Sequence, residues 1–360
     1  MKNANAVIGL TLLCWGCGQA NNVWQHWTVP CSIRTLDVIS TNHIRFAGSD
    51  GWVGQTLDGG DHWTVRQWHA PDSTTPSFRA SSPSNQSWFA TGIASPAWIA
   101  QSSLTGMNPT WVHHDTSAAV FLDAMAWWND REGLVFGDPI DSCLNFLTTQ
   151  DGGQTWHPIS CTLLPTTVEG EAGFAASNGN ICIQGDTAWV FSGGRASRCF
   201  RSTDRGHSWE VFSLPIRQGG TMTGVFSASF ADAKIGLAMG GNWEEPENNT
   251  GNLISTTDGG ATWHAISEGE GPGYRSSIRH HPIFKNEVVS VGKLGIDVSM
   301  DGGNNWTHVS DSSQFVARFS ADGRTLWMAG NQHVTRCQWR MLTEMNETIH
   351  EHNGPITRIP

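Results

Sequence analysis

Thr56-Leu-Asp58-Gly-Gly60-Asp-His-Trp63, Thr149-Gln-Asp151-Gly-Gly153-Gln-Thr-Trp156, Ser202-Thr-Asp204-Arg-Gly206-His-Ser-Trp209, Thr256-Thr-Asp258-Gly-Gly260-Ala-Thr-Trp263 and Ser299-Met-Asp301-Gly-Gly303-Asn-Asn-Trp306 are five copies of one pattern, the Asp-box. In an Asp-Gly-Gly turn the carboxylate accepts bonds from nearby backbone amides while glycine takes a positive φ. Each box therefore reads as a tight hairpin that closes onto a tryptophan. The aspartates of such turns are structural, so the boxes speak to fold and not to chemistry.

Successive box tryptophans are 93, 53, 54 and 43 residues apart. The first interval divides if Trp111, in Pro109-Thr-Trp111, closes a degenerate box, which gives six units. Each unit repeats the same run of apolar strand, turn, strand ending in glycine, polar strand, box and closing strand. Leu36-Asp-Val-Ile with Phe46-Ala-Gly48, Ala124-Met-Ala-Trp127 with Leu134-Val-Phe-Gly137, and Phe226-Ser-Ala-Ser-Phe230 with Leu237-Ala-Met-Gly240 are equivalent stretches. Four short strands per repeat without helical periodicity predict an all-β propeller. Gln314 to Gly330 and His333 to Arg340 supply three further strands with no closing strand behind them. Trp24-Gln-His-Trp27-Thr-Val supplies one at the other end. The sequence thus predicts a seven-bladed β-propeller over residues 22–340, closed by its N-terminal strand and followed by a polar tail at 341–360. A six-blade count stays open.

A repeat spanning nearly all of the 360 residues argues for one domain. The formal net charge of -11 lacks the basic stripe that phosphate backbones need, so nucleic acid is not an expected partner. Lys2, the apolar run Ala6 to Leu13 and Cys14-Trp-Gly-Cys17 read as an export signal over residues 1–17, too short to span a bilayer. Gly16 before Cys17 resembles a lipoprotein cleavage box. The expectation is a periplasmic or cell-surface lipoprotein attached through Cys17, or else a secreted protein, in either case monomeric.

In an oxidising compartment the six cysteines beyond the signal become candidates for pairing. Cys143 and Cys161 lie symmetrically about Gly152, opposite each other on one box hairpin. Cys31 follows the N-terminal strand and Cys337 sits on its presumed neighbour, where a bond would staple the ring. Cys182 and Cys199 fall on strands one apart and read as buried thiols.

Registering the units on the glycine that ends each second strand places Arg34, Arg79, Asp123, Phe226, Arg275 and Val316 in one layer at the mouth of the central channel. Glu171, Asp138, Arg195 and Arg198 leave the same end. The Asp-boxes lie on the opposite face. These rim charges can pair to hold blades together, bind an anionic or polyhydroxyl group through arginine forks, or form a catalytic set. The adjacent pairs His113-His114 and His280-His281 point to opposite strand faces and cannot share a metal, so no metal site is expected. Trp127, Trp128 and Trp243 could stack on sugar rings, and Trp243 opens an acidic loop.

The strings Ser32-Ile-Arg34, Phe121-Leu-Asp123-Ala-Met, Phe136-Gly-Asp138-Pro139, Gly170-Glu171-Ala-Gly-Phe-Ala-Ala-Ser177, Phe200-Arg-Ser-Thr-Asp204 and Gly273-Tyr274-Arg275-Ser276 resemble the photosystem II stability/assembly factors and their bacterial relatives. That resemblance implies a non-enzymatic assembly scaffold that docks on a protein client through an arginine-rich surface. It implies no cofactor, and no dinucleotide or flavin fingerprint is present. Asp-boxes also mark sialidases, which are similar in using three arginines on a carboxylate, a Tyr-Glu nucleophile pair and an Asp acid. Arg34, Arg79, Arg275, Tyr274, Glu171 and Asp123 could fill those roles on a glycan. The sialidase Arg-Ile-Pro motif is not near the N-terminus; Arg358-Ile-Pro360 stands at the far end. Fold analogy does not carry the reaction across.

Overall fold

A computed structural model describes residues 24–344. The export signal, Cys17 and the end of the polar segment lie outside the described residues. The secondary structure is almost entirely antiparallel strand, in six sheets. Five contain one four-stranded meander each: Phe78–Pro83 to Thr110–Asp115, Leu122–Trp127 to His157–Pro158, Ile181–Gln184 to Glu210–Ser213, Thr223–Phe230 to His264–Ala265, and Ser277–His280 to Thr307–Ser310. The short pieces Glu171–Ala172 and Gly193–Gly194 extend the Thr223–Phe230 sheet.

The sixth sheet has seven strands because Trp24–Val38 serves two meanders. Its first half pairs with Asn331–Gln338, in the register Trp24 to Cys337 through Thr28 to His333. Its second half pairs with Ile44–Gly48, from Ile33 opposite Gly48 to Val38 opposite Ile44. The register against Asn331–Gln338 breaks around Pro30, a residue with no N–H to give a ladder, and the partner changes between Ser32 and Ile33. First strands of successive meanders pack on one another in a cycle, and Val316–Phe319 returns to Trp24–Val38.

The boxes behave as local chemistry dictates. In the first, Thr56 Oγ1 donates to Asp58 Oδ1 at 2.8 Å and accepts the Gly60 amide at 2.8 Å, while Asp58 Oδ1 accepts the His62 amide at 2.9 Å. Thr149, Ser202, Thr256 and Ser299 repeat this network. Bonds from the Thr262 hydroxyl and amide hold the Asp258 carboxyl down at about 2. Trp88, Trp189 and Trp327 are fully buried between meanders.

Two sequence expectations need correction. The body does not end at Arg340: residues 339–344 form a helical turn, and Leu342 is buried with Trp339 against Val289, Val291 and Leu326. Apolar spacing in one short turn is too little to read from sequence. The Cys31–Cys337 staple is not formed, and both thiols are free and buried. Cys337 faces Trp24, whereas Cys31 neighbours Ser32, which faces Asn331. Six residues of strand separate Asn331 from Cys337, roughly 20 Å, far beyond disulfide reach. Cys143 and Cys161 are bonded, with Cα atoms 5.5 Å apart.

Candidate functional site at the axis

Residues 173–180, Gly-Phe-Ala-Ala-Ser-Asn-Gly-Asn, are all buried. They belong to no meander and run across the axis where the first strands converge. The Gly173 amide donates to Asp138 Oδ1 at 2.6 Å. Phe174 stacks on Phe226, with ring centroids 3.9 Å apart. The Ala175 carbonyl accepts from Arg79 at 3.3 Å, and the Ser177 carbonyl from Arg318 at 2.9 Å. Ser177 Oγ donates to the Ser276 carbonyl, and Asn178 binds Ser81 and Met125 through both ends of its amide. Small residues let the segment pass, and a Cβ on Gly173 would lie 2.2 Å from Asp123 Oδ2. Asn178 takes φ 51°, a conformation that asparagine tolerates better than most.

Around this segment stand Arg34, Arg79, Asp123, Asp138 and Tyr274. The Arg34 guanidinium lies 3.7 Å over the Phe315 ring, and its Nε has no acceptor. Burial, with Arg79 as the neighbouring charge, lowers Arg34 to about 10. Asp123 is fully buried, and neither carboxylate oxygen makes a hydrogen bond of ordinary geometry. Burial and the Asp138 charge push its pKa well above the usual carboxylate range against the opposing pull of Arg79. Tyr274 is buried edge-on to Phe226, and burial drives its phenol upward.

The other expected rim residues are engaged elsewhere. Arg275 is buried and donates through Nε to Asp297 at 2.6 Å, with Asp297 also bound to His308. Glu171 is buried in an ion pair with Arg198, and accepts from Ser192 and the Val168 amide. Arg195 is exposed and packs over Gly170.

The family model for photosynthesis system II assembly factor YCF48 matches residues 105–332, more than half of the sequence. The chain belongs to that family. Two solved YCF48 structures are similar to it. One, described as YCF48 bound to D1 peptide, has TM-score 0.63 and 16% identity over 92% of this chain and 99% of that one. YCF48 from Cyanidioschyzon merolae has TM-score 0.62 and 14% identity, covering 88% and 98%. The Pan2 WD40 domain of Neurospora crassa is similar at TM-score 0.61 and 13% identity, covering 87% and 94%, which shows how general the architecture is. No curated protein matches significantly.

In this YCF48-family chain the predicted rim therefore splits in two. Arg34, Arg79 and Asp138 are partly exposed around the axial segment, with Arg195 on the surface beside it. Asp123, Glu171, Tyr274 and Arg275 are interior. The expected open channel mouth is a correction as well, because residues 173–180 fill it. The string Gly170 to Ser177 held the signal: a run of small residues with one phenylalanine, which reads as a loop unless the lumen it occupies is known. Exposed Val168 and Trp243 add apolar surface to the segments that lead from this end of the strands.

Proposed function

We propose that this chain is a protein-binding scaffold that takes an extended client segment at the filled end of its axis, through Arg34 and Arg79. The observation that carries the reading is this arginine pair. Both side chains are partly exposed; Arg34 is held over the Phe315 ring and Arg79 by the Ala175 carbonyl. Pre-positioned guanidinium groups suit carboxylates of a peptide. A YCF48 structure described as bound to D1 peptide supports a protein client for the family. The cycle of first strands supports a closed ring of seven blades, with Trp24–Val38 completing one and opening the next.

The glycoside-hydrolase reading draws no support from the geometry. A Tyr-Glu nucleophile needs a phenol that ionises readily beside a free carboxylate. Tyr274 is buried with its pKa raised, and Glu171 is committed to Arg198.

The test is fluorescence anisotropy with a library of acidic peptides on the purified protein. Arg34→Gln and Arg79→Gln are each expected to weaken the selected peptide about tenfold or more, the worth of a charge-assisted hydrogen bond, with unchanged circular dichroism. Equal affinity in both variants would sink the proposal.

Export and tethering through Cys17 complete the reading, on the strength of the Lys2 to Cys17 pattern. Metabolic labelling with a fatty acid is expected to mark the wild type and not Cys17→Ser, and the variant is expected to leave the membrane fraction. Labelling that persists in the variant would refute lipid attachment at that residue.

A further inference from the structure

The axis has a second pair of arginines, one layer nearer the Asp-box face than Arg34 and Arg79. Arg279 faces Val289 within Ser277–His280, and Arg318 faces Trp327 within Val316–Phe319. Counted from the glycine that ends each second strand, Gly292 and Gly330, these are equivalent positions of neighbouring meanders. Their hydrogen bonds run almost wholly to main-chain carbonyls. Arg279 Nη1 donates to Ala228 and Ile278 at 2.9 Å each, and Arg318 to Ala317 at 2.8 Å and Ser177 at 2.9 Å. These bonds fix the two guanidinium groups in place without neutralising them.

Among the described residues, neither arginine forms an ion pair. Asp37 is the carboxylate whose field reaches Arg318, but its Oδ2 already accepts from Ser81 at 2.5 Å and Trp88 at 2.7 Å. The remaining donors, Nε and Nη2 of Arg279 and Nε of Arg318, meet no acceptor among the described residues, and both side chains are partly exposed. Cys182 lies within the field of both, with its Sγ toward the Ala228 carbonyl. Two fixed like charges with spare donors are stabilised by a counter-charge beside them. A guanidinium fork fits an oxyanion better than a halide.

We propose that Arg279 and Arg318 form an anion site inside the axis, separate from the peptide-binding rim, that takes a phosphate-type dianion. The experiment uses full-length protein in phosphate-free buffer, titrated with inorganic phosphate by calorimetry and compared with sodium chloride of equal ionic strength. Saturable binding is expected, weakened about tenfold or more in Arg279→Gln and unchanged in Arg34→Gln. Glycerol phosphate in place of the free ion separates a site for inorganic phosphate, which it would not enter, from one that reads a phosphate ester, which it would fill. Should Arg279→Gln fail to fold, alkylation of Cys182 followed by peptide mass spectrometry decides on the wild type alone. Phosphate is expected to slow that alkylation several-fold relative to chloride. The absence of saturable heat together with unprotected Cys182, or binding lost in Arg34→Gln and kept in Arg279→Gln, would overturn the proposal.

Discussion

Arg275→Ala is expected to cost the fold about 3–5 kcal/mol, the range found when one member of a buried ion pair is removed, while leaving peptide affinity of the molecules that remain folded unchanged. Arg275 and Asp297 are both buried, at side-chain exposures of 4% and 5%. Removing the guanidinium strands a carboxylate that keeps only His308 as a polar side-chain partner. Arg275 Nη1 also caps the Tyr274 carbonyl, so the strand entry loses a bond as well. Denaturant unfolding of Arg275→Ala, Asp297→Ala and the double variant Arg275→Met/Asp297→Leu gives the check. The double variant should recover much of the loss, because no unpaired charge remains. A single variant that unfolds like wild type but fails to bind peptide would return Arg275 to the binding surface.

Gly173→Val should be the most damaging change in the axial segment, at about 3 kcal/mol or more, since overpacking a filled interior costs that much when backbone must move. The added Cβ would meet Asp123 Oδ2 at 2.2 Å and the Phe136 ring at 2.7 Å. Neither can retreat, because both residues are fully buried. Limited proteolysis within residues 170–180, resistant in the wild type and cut in the variant, would show that the segment has left the axis. A variant as stable and resistant as wild type would mean the axis is loosely filled. The companion change Asp123→Asn tests the carboxyl itself. The folded protein holds this proton more tightly than the unfolded chain, so the contribution of Asp123 to stability is present below about pH 4 and is lost as pH rises through the raised folded value. The melting temperature of Asp123→Asn should therefore gain on wild type between pH 4 and pH 8. A constant difference would mean that Asp123 is ionised throughout.

The boxes were legible in sequence because each is made within eight residues. Thr56, Asp58 and Gly60 find their partners next door, so the pattern carries its own geometry. The pairing of Trp24–Val38 with Asn331–Gln338 was legible for a different reason: an unpaired strand at each end of the chain can find only the other. Site residues were harder to read. The reference glycines Gly48, Gly92 and Gly137 lie opposite Ile33, Phe78 and Leu122, so Arg34, Arg79 and Asp123 follow equivalent positions, but whether an arginine is free depends on residues from other strands. Arg275 met Asp297, two positions into Gly295–Ser299, and Arg198 met Glu171 across 27 residues. Nothing in local periodicity marks such partners. The axial segment was opaque because its burial comes from the lumen around it and not from an amphipathic pattern of its own.

The strand Trp24–Val38 has a temporal consequence. Its first half has its place only beside Asn331–Gln338, more than 300 residues later. During synthesis Trp24 to Thr28 must wait with their amides unpaired. Pairing at such sequence distance is the slowest kind to form. The sheet that joins the two ends is thus a clasp that the last strand fastens. A nascent chain lacks this seven-stranded sheet until its last strand has arrived, and the packing of Val316–Phe319 on Trp24–Val38 waits with it.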